Sequence, residues 1–227
     1  MILNIYKPKN WTSFDVVAKV RKLSGIKKVG HAGTLDPLAE GVLIVLTDSD
    51  TKLQDTFKDL QKQYYFEFVL GVKTPSYDLE TLPEFVEEIH IPDVETTLKE
   101  IIPNFMGEQL QTVPIYSAKK VNGKRLYDVA RKSSIETLPE ALPTNKITIS
   151  DIELVDISST PVDTDKGMKT VPFVRCNVSC SSGTYVRSLA VDIAKKLNST
   201  AVVTKILRTA IGDYTVKTCM NIEDLKF

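Results

Sequence analysis

The sequence predicts an α+β protein whose mixed, largely antiparallel central sheet is flanked by helices and loops. Three observations lead there. Residues 42–46 form a continuous β-branched and leucine run, which reads as a strand buried on both faces. Residues 64–70 alternate, with Tyr64, Phe66, Phe68 and Leu70 on one face and Tyr65, Glu67 and Val69 on the other. Residues 184–197 repeat Val186, Leu189, Ala190, Ile193 and Leu197 at helical spacing. These elements follow one another without a strict strand-helix-strand rhythm, which argues against a purely parallel sheet.

The remaining elements fit the same frame. A short strand at 3–6 runs into Lys7-Pro8, and Thr12-Ser13 are good helix N-caps. The helix they open carries Val16, Val17, Val20 and Leu23 inward and is closed by Gly25. Two more strands are expected at 147–157 and 173–179, joined by a polar loop around 163–167. No internal repeat and no low-complexity tail is present.

With 227 residues, 42% apolar and 26% charged, the chain buries a core of its own, so disordered and disulfide-scaffold classes are excluded. The three cysteines, Cys176, Cys180 and Cys219, make an odd set without a C-x-x-C pair, which fits a reducing compartment and no zinc cage. No signal pattern opens the chain and no apolar run approaches the roughly 18 residues of a membrane span, so a cytoplasmic location is expected. The 29 basic and 29 acidic residues balance, but they are segregated. Residues 19–28 carry five basic and no acidic side chains, residues 117–132 carry six basic against Asp128, and residues 195–208 carry four basic. Residues 80–100 carry seven acidic side chains against Lys99. Each basic run alone is as well explained by a solvated face; converging, they would form a polyanion footprint.

Dinucleotide, P-loop, zincin and serine-hydrolase signatures are all missing, and His31 and His90 are the only histidines. Catalysis must therefore lean on carboxylates, tyrosines or basic side chains. The segment 30–41, Gly-His-Ala-Gly-Thr-Leu-Asp-Pro-Leu-Ala-Glu-Gly, places three glycines and an Asp36-Pro37 step before the buried strand. Such a segment is a tight, preformed loop. An isolated Asp-Pro would merely cap a turn; the whole string says more.

That string closely resembles the catalytic motif of the TruB family of tRNA pseudouridine synthases. Further matches follow in the family's order: Lys62-Gln63-Tyr64, then Tyr116-Ser117-Ala118 with Lys120, Gly123, Tyr127, Ala130 and Arg131. Next come Gly183-Thr184-Tyr185-Val186-Arg187, and finally Leu207-Arg208 with Gly212 and Tyr214. The resemblance implies a pseudouridine synthase catalytic fold over 1–227 with a thumb-like RNA-binding segment at about 113–146. It implies an isomerase that converts a T-loop uridine of tRNA, conventionally position 55, to pseudouridine without metal or organic cofactor. Asp36 would act on the ribose, Tyr64 would stack on the target base, Arg187 would be the ion-pair partner of Asp36, and His31 would occupy the space of the extruded base. Gly33, Leu35, Lys62, Tyr185, Leu207, Lys119, Lys120, Lys124, Arg125, Arg131 and Arg208 would bind substrate. The T-arm of tRNA is the expected partner and a monomer the expected state. Because the last motif lies just before Phe227, a C-terminal PUA-type RNA-binding domain is expected to be lacking.

Chemistry makes those roles reasonable. A buried aspartate tends to protonate, and an arginine within about 4–6 Å keeps it charged, with bidentate geometry that fixes it. A flipped base costs a few kcal/mol to unstack and regains about 1–3 kcal/mol on an aromatic platform. Each residue also has a plainer role open to it: Tyr64 and Tyr185 in the core, Arg187 on a helix surface, His31 as a satisfied structural histidine. Val113-Pro114 stands where paired prolines are common in the family, Lys119 replaces an apolar residue, and Pro75 an aspartate. Three alternative functions stay open: an RNA-binding or tRNA-folding chaperone, pseudouridylation of a different RNA, and a carboxylate nucleosidase, which would need a second acid about 5–9.5 Å from the first.

Overall fold

The computed structural model describes all residues except Asn122 and 133–141, and only the backbone of residues 91–93, 131 and 132. In chain order the elements are β1 (Ile2–Lys7), α1 (Ser13–Ser24), β2 (Val29–Ala32), β3 (Glu40–Thr47), α2 (Gln54–Asp59), β4 (Lys62–Leu70), β5 (Val72–Lys73), β6 (Glu84–Phe85) and α3 (Ile91–Ile101). There follow β7 (Gly107–Thr112), β8 (Lys120–Val121), β9 (Lys124–Arg125), α4 (Leu126–Lys132), β10 (Thr144–Thr164), β11 (Gly167–Cys180), α5 (Val186–Lys196), β12 (Ala201–Ile211), β13 (Tyr214–Thr215) and β14 (Met220–Asn221). The fold is α+β with a mixed sheet, as the sequence predicts. Part of the thumb-like segment expected at 113–146 lies outside the described residues. Among the described residues no helix is long and apolar enough to cross a membrane.

The chain divides into two compact units. The first comprises 1–65, 177–182 and 205–227; the second comprises 66–176 and 183–204. In the first unit β3 is central. It pairs antiparallel with β1 and β2 and parallel with β12 through Leu207 opposite Glu40 and Arg208 opposite Gly41. Residues 42–46 are all fully buried because the strand is covered on both sides. Leu43 and Val45 pack with Val16, Val17 and Val20 of α1, while Val42, Ile44 and Leu46 pack with Phe57 of α2 and Ile211.

Helix α1 starts and stops where the sequence places it. Thr12 and Asp15 form a reciprocal capping box, and Gly25 closes the helix in the left-handed conformation at φ 70°. In the second unit β10 and β7 pair antiparallel, and Val69, Val72, Val171 and Val202 form a core cluster. Two differences from expectation stand out. Strands β10 and β11 form a hairpin much longer than 147–157 and 173–179, and α3 forms within the acidic stretch.

Gly41 has a conformation no other residue matches at low cost. Its φ is 104°, and a Cβ there would lie 2.3 Å from the Arg208 carbonyl oxygen in the neighbouring strand. Gly41→Ala is expected to destabilise the protein by at least about 2 kcal/mol, from backbone strain and a steric clash between strands. Urea unfolding measures this directly; an unchanged midpoint would mean that β3 and β12 separate freely at that position.

Candidate active site

The loop from β2 to β3 carries Asp36, and the chain fastens it from three sides within the first unit. From α1, the Ser13 hydroxyl donates to the Leu35 carbonyl at 3.1 Å and accepts from the Leu35 N–H at 2.9 Å. At the end of β1, the fully buried Lys7 ammonium donates to the carbonyls of Pro8 at 3.0 Å, Trp11 at 2.6 Å and Pro37 at 3.2 Å. The Asn10 N–H donates to the same Pro37 carbonyl at 2.9 Å. From β12, Arg208 donates through Nε to Val42 at 2.7 Å, and through its terminal nitrogens to Gly33 at 3.2 Å and Thr34 at 3.4 Å. A turn bond from the Ala39 N–H to the Asp36 carbonyl at 3.1 Å closes the loop on itself. Asp36 is half-buried and bracketed by fixed backbone on both sides.

Two residues expected to bind substrate are buried. Arg208 is only 1% exposed, and its guanidinium donates to loop carbonyls, which braces the loop. Lys62, 5% exposed, donates to the carbonyls of Lys58 and Leu60 at the end of α2, where a cation also complements the helix dipole. Burial pushes the Lys7 and Lys62 ammonium groups down to about 8. For Lys7 the negative charges of Asp36 and Glu40 oppose that shift, whereas Arg208 lowers Lys62 further.

Tyr64 and His31 stand in the same unit. Tyr64 is half-buried on β4; burial raises its phenol above the ordinary value, the Arg208 guanidinium opposes this, and the Asp36 charge adds to it. His31 lies opposite Val45 in the β2–β3 pair. Burial, then Arg208, lowers its imidazole, which favours the neutral ring, and its Nδ1 is buried with no hydrogen-bond partner among the described residues. Leu35 is buried, and Leu207 is half-buried on β12.

Arg187 belongs to the second unit, at the start of α5, and is 3% exposed. A plain surface role is thereby excluded. Its guanidinium donates to the carbonyls of Ser76 at 2.6 Å and Tyr116 at 2.8 Å and stands 3.7 Å from the Asp78 carboxylate. Asp78, itself buried, accepts from the Ser76 hydroxyl at 2.6 Å and the Glu80 N–H at 3.1 Å. The backbone of half-buried Tyr185 is held by Gln111, which donates to its carbonyl at 3.0 Å and accepts from its N–H at 2.8 Å. Lys120 and Arg125 pair across the β8–β9 ribbon, and Lys119, Lys120, Lys124 and Arg125 are all exposed. Lys119 donates to Asn145 at 3.2 Å, and Arg125 donates to the Tyr127 hydroxyl at 2.7 Å. The side chain of Arg131 lies outside the described residues.

Sequence reasoning missed Lys7, Ser13, Asp78 and Gln111. The Lys7-Pro8 step after a strand was a signal for the first; the others depend on contacts between segments far apart in the chain.

This architecture matches solved structures over nearly its whole length. A chain of the crystal structure of a Cbf5-Nop10-Gar1 complex superposes with a TM-score of 0.67 at 25% identity, covering 99% of this chain and 53% of that one. A chain of an H/ACA RNP bound to a substrate RNA containing 2'-deoxyuridine gives a TM-score of 0.65 at 23% identity, covering 99% and 51%. The chain thus spans about half the length of these solved chains, and its fold is that of the pseudouridine synthases.

Residues 21–186 match the family model described as TruB family pseudouridylate synthase, N-terminal domain. A tRNA pseudouridine synthase B of Clostridium tetani is 40% identical over 224 residues, covering 99% of this chain and 72% of the relative. That of Clostridium novyi is 42% identical over 228 residues, covering 99% and 71%, and that of Phocaeicola vulgatus 39% over 229 residues, covering 98% and 90%. The chain belongs to the TruB family of pseudouridine synthases.

Proposed function

We propose that this protein is a tRNA pseudouridine synthase that isomerises the T-loop uridine at position 55, with Asp36 as its catalytic residue. The observation that carries the reading is the immobilised loop: hydrogen bonds from Ser13, Lys7 and Arg208 hold the backbone on both sides of Asp36. A reactive carboxylate held on a braced loop meets the positional demand of catalysis at a sugar.

The base must leave its stack to reach Asp36. Tyr64 receives the flipped uracil on its ring, and the neutral His31 imidazole supports the space that the base vacates. Asp36 acts at the ribose, the bond from C1′ to N1 breaks, and the uracil turns without leaving the site. C5 then bonds to C1′, N1 takes up a proton and C5 loses one. Product and substrate are isomers, so no oxidant, reductant or group donor enters the balance. The exposed side chains of Lys119 and of the ribbon residues Lys120, Lys124 and Arg125 supply phosphate contacts to the T-arm.

Because C5 loses its hydrogen, tRNA carrying tritium at uridine C5 releases one equivalent of label to water on complete turnover. Release well below one equivalent at enzyme excess would contradict the proposal. Tyr64→Phe is expected to keep RNA affinity within about threefold, whereas Tyr64→Ala loses roughly 1–3 kcal/mol of stacking, read as a weaker Kd and slower release. Equal binding by the two variants would make Tyr64 a packing residue.

A further inference from the structure

The basic run at 19–28 takes no part in the site, yet the structure ties it directly to the Asp36 loop. The Ser13 hydroxyl that brackets Leu35 opens α1, so the helix is anchored one residue from Asp36 and runs away from it as a rigid body. Its inner face is buried through Val16, Val17 and Val20. On its outer side Asn10, Trp11, Asp15, Ala18, Lys19 and Lys22 line a shallow groove of about 410 Å³, open because Ala18 is small. Lys27 and Lys28, just past the Gly25 cap, are exposed as well.

The charge of this face is predominantly positive. No acidic residue occurs between Asp15 and Asp36 in the sequence, and no ion pair engages Lys19, Lys22, Lys27 or Lys28 among the described residues. Asp15, the one acid in the groove, is occupied by the capping box, accepting from the Thr12 N–H at 2.8 Å and the Thr12 hydroxyl at 2.7 Å. Phe14 is 65% exposed at the end of the helix nearer Asp36. Trp11 is half-buried, packing against the core beneath α1 while lining the groove. Lysines beside one exposed and one half-buried aromatic ring suit a sugar-phosphate strand, whose phosphates meet the ammonium groups and whose bases or riboses meet the rings.

Resting on the assignment of Asp36 as the site that receives an RNA nucleotide, we infer that the outer face of α1 is a second RNA-docking surface. It carries the backbone of the same substrate strand away from the reacting nucleotide. The 12 residues of α1 span about 18 Å, long enough to lie along several successive phosphates of one strand. Lys19 and Lys22 meet phosphates, and Phe14 and Trp11 flank the strand.

Trp11 is the single tryptophan of the chain and lines this groove, so the accessible part of its ring reports on occupancy there. Unmodified tRNA transcript is expected to lower acrylamide quenching of Trp11 at least about twofold. Lys19→Gln/Lys22→Gln is expected to weaken Kd for the transcript at low salt and to flatten the log-log salt dependence by up to about two units. A control pair on other exposed lysines of the same unit, Lys52→Gln/Lys217→Gln, is expected to leave both near wild type. Unchanged quenching, an unchanged slope in the Lys19/Lys22 variant, or an equal loss in both pairs would overturn the inference. These are binding readouts. Failure of the wild type to release C5 tritium would instead overturn the catalytic reading and leave the docking result to stand or fall by itself.

Discussion

Asp36→Asn is expected to abolish pseudouridine formation, leaving tritium release at the level of a protein-free control, while tRNA affinity stays within about tenfold of wild type. Chemistry and affinity reside in different atoms. Affinity comes from lysine and arginine contacts to phosphates, whereas the reaction at the ribose needs the carboxylate. The amide keeps the size of the side chain, and the loop is held by main-chain bonds that Asp36 does not supply: Leu35 to Ser13, Pro37 to Lys7 and Asn10, and Gly33 and Thr34 to Arg208. The variant should therefore fold and bind. Single-turnover tritium release beside filter binding separates the two quantities, and substantial turnover would remove Asp36 from its role.

Arg187→Ala is expected to lower stability by about 3–5 kcal/mol, the range found when one member of a buried ion pair is removed. The loss includes more than the pair. Asp78 keeps its bonds from Ser76 and Glu80 but loses the neighbouring guanidinium, and the carbonyls of Ser76 and Tyr116 lose charge-assisted donors in a buried site. Arg187→Lys restores the charge without the planar fork and should fall between the two. Urea midpoints at constant m-value measure both variants. A midpoint for Arg187→Ala close to wild type would show that the cluster around Asp78 is not held by this side chain.

What the sequence made legible was local. Thr12, Asp15 and Gly25 mark the ends of α1 because capping depends on neighbouring residues. Residues 42–46 announce a strand covered on both faces because every position is apolar. Helix α3 was hidden by its charges: Val94, Leu98 and Ile102 recur every fourth residue and are buried, but the surrounding glutamates dominate the segment. The long hairpin outruns its sequence signal because residues 158–164, Ser-Ser-Thr-Pro-Val-Asp-Thr, are mostly polar and read as the approach to a turn, although they alternate in burial.

The site was legible as a loop and opaque as a network. Asp36, Tyr64 and His31 are visible in motifs, but the grip of Arg208 on Gly33 spans 175 positions and that of Arg187 on Ser76 spans 111. Arg208 sits in a basic run and so reads as an RNA contact. Only the parallel pairing of β12 with β3 shows that its side chain enters the interior beneath the Asp36 loop.

The most direct measurement is to incubate the protein with an unmodified tRNA transcript, treat the RNA with carbodiimide and map the modified base by primer extension. A single new stop at the T-loop uridine, position 55, appearing with wild type and absent with Asp36→Asn, is the predicted result. No stop, a stop at another uridine, or a stop that survives in Asp36→Asn would contradict it.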